Sequence, residues 1–243
     1  MKRLIIATII LLIATVLVTV GYFKNLGSVS QQTTQALRTI PNDASLILEF
    51  NNEKSLYDIF TGNKLFMSLI GEDKMTELIA LKKRILQNPV IEPHLSGQNL
   101  YISIHPQKGD DIDFLITISI PKGFEPELFD ELSKQKKNGL VLNTFNIDEK
   151  QGYVIYLSDI KRRFYLINKD DQTLSGSFSK ALIEECSKYD YQKEKQAFVL
   201  LSDRQSSNSL ANLYVNYNAL SPLFSQIFLN KNPDLFRSFR QFP

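Results

Sequence analysis

Asn99 to Ile120 reads NLYISIHPQKGDDIDFLITISI, and this stretch decides the fold. Asn99 to His105 alternates apolar and polar residues, Ile112 to Ile120 is rich in β-branched and aromatic ones, and Gln107-Lys108-Gly109-Asp110 supplies a polar turn with a glycine. That pattern predicts a β-hairpin, hence an antiparallel sheet. Pro121 and Gly123 close the pair.

Beyond the hairpin, Pro126 stands near the start of a helical pattern carrying Leu128, Phe129 and Leu132, a position where its missing N–H costs nothing. Four short runs follow: Val141 to Ile147, Tyr153 to Leu157, Arg163 to Asn168 and Gln172 to Ser175. The breaks at Lys150-Gln151-Gly152, Ser158 to Lys161 and Asp170-Asp171 suit an antiparallel meander. Ser175-Gly176-Ser177 reads as a turn into a helix over Ser179 to Ser187, and Ala197 to Leu201 as a further strand. On the other side, Ile40-Pro41-Asn42-Asp43 makes a turn before a strand, Ala44 to Phe50, with Leu46, Leu48 and Phe50 on one face. Helical patterns then run through Ser55, Leu56, Ile59 and Phe60, through Leu65, Phe66, Leu69 and Ile70, and from Asp73 to Gln87. The last places Met75, Leu78, Ile79, Lys82 and either Ile85 or Leu86 at spacings of three and four, and Pro89 and Pro93 end it. The predicted class is α+β, an antiparallel sheet packed against helices, in a domain over residues 41–195.

At the N-terminus, Leu4 to Phe23, LIIATIILLIATVLVTVGYF, carries no charge. As a helix rising about 1.5 Å per residue it spans roughly 30 Å, the thickness of a hydrocarbon core. Membrane lipid is therefore the expected partner of Leu4 to Phe23, in a single transmembrane helix. A cleaved signal peptide is the rival, but the run is longer than such peptides use and lacks a small-x-small exit before Gly21. Lys2 and Arg3 precede the span and only Lys24 follows at once, which puts residues 1–3 in the cytoplasm, the anchor over 4–23, and the bulk outside, in a bacterial periplasm. Residues 24–40, polar and rich in Ser, Thr and Gln, read as a linker or a membrane-proximal helix.

ASLILEFNN at Ala44 to Asn52 can be laid over ANLYVNYNA at Ala211 to Ala219. Each is an alternating strand, then Asn, then an apolar helical run, so a tandem repeat is expected, with 196–243 as the start of a second, incomplete module. The chain closes on NPDLFRSFRQFP, whose Leu235, Phe236, Phe239 and Phe242 call for a protein partner or a further C-terminal region to cover them.

The phrase ALRTIPNDASLILEF at Ala36 to Phe50, the stretch Leu95 to Pro121 and LYVNYNALSPLF at Leu213 to Phe224 resemble a family of large envelope proteins of Bacteroidota related to the domain-of-unknown-function family DUF3352. The resemblance covers nearly the whole chain and implies one membrane span and an N-terminal portion of something longer. That family has no established activity, so the resemblance implies no catalytic residue.

Composition narrows the functional classes. With 43% hydrophobic and 22% charged residues the chain is an ordinary folding sequence. There are 28 Lys and Arg against 26 Asp and Glu, and without Lys2 and Arg3 the two balance, so no field favours nucleic acid. Basic runs at Lys82-Lys83-Arg84, Lys134 to Lys137 and Lys161-Arg162-Arg163 read as solvated faces, or else as a local anionic or lipid-headgroup patch. Cys186 is the one cysteine, which excludes an internal disulfide, and Glu184 and Glu185 beside it would raise its thiol pKa.

No metal, cofactor or catalytic residue is assigned. His94 and His105 read as surface or turn histidines, with no metal-pair spacing. Asp110, Asp111 and Asp113 read as a solvated turn, without the alternating ligands of a calcium loop. Glu184 with Glu185, or Glu125 with Glu127, has no partner across a substrate in one dimension. The functional expectation is a membrane-anchored extracytoplasmic scaffold or protein-interaction module. The alternatives are binding or sensing of an apolar, lipid-like ligand, and a hydrolase without a recognisable motif.

Overall fold

The computed structural model describes residues 11–20, 35–52, 71–107, 112–120, 129, 140–147, 150–170, 172–193, 211–216 and 219. Eight strands form one sheet: β1 Leu46–Asn51, β2 Asn99–Pro106, β3 Ile112–Ser119, β4 Leu140–Ile147, β5 Lys150–Leu157, β6 Arg162–Asp170, β7 Thr173–Ser177 and β8 Ala211–Val215. Their order is β4-β5-β6-β7-β3-β2-β1-β8, and every neighbouring pair is antiparallel. The hairpin and the meander are both present. β7 joins them by pairing with β3, Ile116 facing Gly176.

Side-chain alternation gives the sheet two unlike faces. Leu100, Ile102 and Ile104 of β2 and Phe114, Ile116 and Ile118 of β3 share one face with Phe50, Ile155, Leu157, Phe164 and Leu174. Each such side chain contributes about 1.5–3 kcal/mol when fully removed from water. Over this face lie α3 (Glu72–Leu81), a π-helical turn at Lys82–Leu86, and α4 (Glu92–Leu95), which supply Met75, Ala80, Leu81, Ile85, Leu86, Ile91 and Leu95. Among the described residues, 11–20 (α1) and 35–39 (α2) are also helical. Residues Ala36, Leu37 and Ile40, in and just after α2, cover the opposite face together with Leu182, Ile183 and Cys186 of α5 (Lys180–Lys188). Ser179 caps α5, its side chain accepting from the Leu182 N–H.

Several expectations are corrected. The linker assigned to 24–40 ends too late, because Ala36, Leu37 and Ile40 are fully buried in the second core and belong to the domain. The helix expected over Asp73 to Gln87 changes character at Lys82. A π-turn places more residues per turn, so Ile85 and Leu86 are both buried, while Ile79 is 41% exposed. Pro93 sits in the first turn of α4 instead of ending the preceding helix. Ser175-Gly176-Ser177 is the end of strand β7, and the Phe164 ring lies where a Cβ of Gly176 would stand.

No tandem repeat is shown among the described residues. Ala211–Val215 pairs directly with β1, Leu48 facing Leu213, so the strand expected to open a second module over 196–243 is the eighth strand of the first sheet. The two similar strands are neighbours in one sheet.

Among the described residues no helix is long and apolar enough to cross a membrane. The described part of the 4–23 segment is α1, ten residues of which all are exposed. Its flanks lie outside the described residues. So do the helical patterns around Ser55 to Phe60 and Leu65 to Ile70, the strand at Ala197 to Leu201, and Leu235, Phe236, Phe239 and Phe242. Of the pattern around Leu128 and Leu132 only Phe129 is described, buried 5.1 Å from the Tyr153 ring.

Candidate functional site

The face beneath α2 and α5 gathers the polar positions of the alternating strands: Glu49 of β1, Tyr101, Ser103 and His105 of β2, Thr117 and Ser119 of β3, and Thr173, Ser175 and Ser177 of β7. Each is buried, so each needs a partner inside the protein. Thr117 and Ser175 bond each other at 3.2 Å, and Ser177 donates to the Phe114 carbonyl at 2.6 Å.

Glu49 lies under the most complete set of donors. Tyr101 Oη (2.9 Å) and Asn99 Nδ2 (3.2 Å) donate to one carboxylate oxygen, Tyr214 Oη (2.7 Å) and Asn212 Nδ2 (3.1 Å) to the other. Two donors come from the strand on one side of β1 and two from the strand on the other. Burial and the acceptor carboxylate push the Tyr214 phenol far above its ordinary value, which keeps it a donor.

His105 is not the surface or turn residue expected. It is fully buried, with Nε2 2.9 Å from Ser103 Oγ and Nδ1 2.8 Å from Asp43 Oδ1. The order Ser–His–Asp matches that of hydrolytic triads, which is the nucleophile and base contact that the hydrolase alternative requires. Its setting differs from theirs. Ser103 is itself fully buried inside a central strand and also donates to the Leu115 carbonyl at 3.2 Å, so a substrate has no route to Oγ. The arrangement ties β2 to the turn before β1.

The third assembly opens to solvent. A groove of about 440 Å³ is bounded by α2, the ends of β5 and β6, and the segment after α5. Its walls include Arg38, Lys150, Lys169 and Lys188 against Asp170 and Asp190. Lys169 donates to three carbonyls at the C-terminus of α5: Cys186 (2.6 Å), Ser187 (2.8 Å) and Tyr189 (2.7 Å). Those oxygens have no partner within the helix and carry the negative end of its dipole, so one ammonium meets both needs. Burial, with Lys150 nearby, pulls the Lys169 pKa below its ordinary value. Lys150 in turn donates to the Lys169 carbonyl at 3.4 Å, and Arg38 lies 5.1 Å from the centre of the Tyr191 ring. Asp170 is occupied by Gln35, the Gln172 N–H and Thr173, and Asp190 faces Lys193 at 3.5 Å. Among the described residues, none of the four cations makes an ion pair within 4 Å.

These polar walls are not the apolar cavity that a lipid-like ligand needs. Cys186, behind Lys169, is fully buried, and its thiol is pushed up to about 11. Burial is the main cause; the neighbouring acid proposed from sequence contributes least. Of the expected solvated basic runs, Arg84 is paired with Asp159 at 2.9 Å and Arg162 with the buried Glu77 at 3.0 Å. Arg84 also draws the Asp159 carboxyl below its ordinary pKa. Asp113 bonds Lys74 at 3.3 Å and Glu184 bonds Lys180 at 3.0 Å, while Asp110, Asp111, Glu125, Glu127 and Lys134 to Lys137 lie outside the described residues. Among the described residues no cluster of three metal-type ligands occurs.

The Glu49 donors and the groove cations could not be found by motif, because they come from strands and helices far apart in the chain. The one local signal was a carboxylate at an alternating position inside a strand. Comparison with protein-family models, with curated proteins and with solved structures finds no match to this chain.

Proposed function

We propose that the chain is a membrane-anchored extracytoplasmic scaffold or interaction module. The observation that carries this reading is α1. LLIATVLVTV at 11–20 has no charge, exposes all ten residues, Leu11 at 69% and Val18 at 73% among them, and buries no face. A helix apolar on every side is stable where its surroundings are apolar too, which in the absence of protein packing means lipid. Lys2 and Arg3 ahead of it favour an N-terminus in the cytoplasm and the sheet domain on the other side.

The interaction role draws on the outer strands of the sheet. β4, LVLNTFNI, and β8, ANLYV, carry no charge or proline, the usual devices that discourage pairing at an edge, and Val141 and Leu213 are 54% and 62% exposed. Addition of a strand from a partner along these outer strands is the mode of contact this reading expects.

The test is fractionation of the full chain, followed by protease treatment of intact cells with the outer barrier opened. The expected result is retention in membranes through alkaline carbonate washing, with the sheet domain cut from outside the cytoplasmic membrane. Release of intact protein by carbonate would overturn the anchor, and protection from protease would overturn the orientation.

A further inference from the structure

We infer that the groove between α2, the ends of β5 and β6 and the C-terminus of α5 is a binding site for a phosphate-type oxyanion, carried on a lipid headgroup or on a free phosphate ester. Four cations face it, two carboxylates accompany them, and both carboxylates are engaged elsewhere. A protein that had only to solvate this surface would gain by setting acids beside Arg38, Lys150 and Lys188. Lys150 and Lys169 are instead held together, Lys150 disfavouring the charge on Lys169. Such like charge is lowered in energy when an anion enters between them.

The carbonyl end of α5 would normally repel an anion. Lys169 has taken three of those carbonyls, so the wall presents a net positive surface. Arg38, on its tyrosine, offers several N–H donors in one plane, which suits the oxygens of a phosphate. Ser187, 93% buried in the same wall, has a hydroxyl with no hydrogen-bond partner among the described residues. The headgroup source rests on the anchoring reading above. Only fourteen residues, 21–34, lie between Val20 and Gln35, and a chain of that length spans at most roughly 50 Å.

The experiment uses the full chain in neutral detergent, titrated with glycerol phosphate at constant ionic strength by calorimetry, and the same chain in phosphatidylcholine vesicles with and without phosphatidylglycerol. Lysine acylation read by mass spectrometry reports on Lys150 and Lys188 in the vesicles. Saturable binding is expected, weakened about tenfold or more in Arg38→Gln/Lys150→Gln/Lys188→Gln. Protection of Lys150 and Lys188 by phosphatidylglycerol identifies the headgroup as the source. Binding of glycerol phosphate without that protection identifies a free ester. Absence of saturable binding in detergent together with acylation indifferent to phosphatidylglycerol would overturn the site. Chain that fails to enter vesicles but binds glycerol phosphate would overturn the anchor and leave the site standing. Should the triple variant unfold by circular dichroism, the exposed Arg38→Gln alone carries the comparison, and unchanged affinity there would count against the site.

Discussion

Glu49 Oε2 accepts a 2.7 Å hydrogen bond from Tyr214 Oη across 165 residues of sequence, and this contact fastens the last described strand to the first. A buried carboxylate is costly unless its lone pairs are met. Here β8 supplies Asn212 and Tyr214, one donor to Glu49 from each. Tyr214→Phe removes one without changing shape, so a loss of about 1.5–3 kcal/mol is expected, with Glu49→Ala costing more because it removes the shared acceptor of four hydrogen bonds and leaves a cavity. Urea unfolding of the two variants checks this; equal stability of Tyr214→Phe and the parent would contradict the clamp.

Alkaline pH should loosen the second core through Cys186. Its folded pKa, about 11 against 9.0, is raised, so the contribution is complete below pH 9 and disappears as pH climbs to 11. Two units correspond to about 3 kcal/mol. Lys169, whose pKa is lowered, works in the opposite sense in the same range, so the comparison is between the parent and Cys186→Ala, which share it. Thermal midpoints from pH 8 to 11 should fall further in the parent. Parallel profiles would show that the thiol does not titrate on unfolding.

Gly176→Ala should destabilise by about 1–3 kcal/mol, because the new methyl meets the Phe164 ring in a filled core. Phe164→Leu in the same chain should recover part of that loss. If the double variant is no better than the single one, the ring is not the obstacle.

Ser103 should resist a serine-directed fluorophosphonate in the folded chain despite standing 2.9 Å from His105. Labelling is expected only above the unfolding midpoint, and Ser103→Ala should cost about 1–3 kcal/mol of stability through the unmet partners. Rapid modification of native protein would restore the hydrolase alternative.

How far these features could be read in the chain follows from their range. The β2–β3 hairpin and the β4 to β7 meander were legible because period-two alternation and turn residues are local signals. The ambiguity between Ile85 and Leu86 was a correct symptom of the π-turn, which no simple spacing rule contains. His105 was misread because a lone histidine at a strand end shows neither Ser103 on its own face nor Asp43 in the preceding turn. Glu49 was passed over for a similar reason: in one dimension an acid between apolar residues looks like the wet side of a strand. The likeness between ASLILEFNN and ANLYVNYNA could not reveal that the two strands share a sheet, because pairing across so long a separation leaves no local signal.

Strand β8 pairs with β1 only once residue 215 is available, so a ribosome delivering this chain from its N-terminus cannot complete that pairing until some 165 residues after β1 have been made. Until then the edge of β1 lies open with its acid hydrated, and closing so long a loop late makes folding slow. A chain fed through a membrane pore would therefore travel unfolded and lock only on arrival.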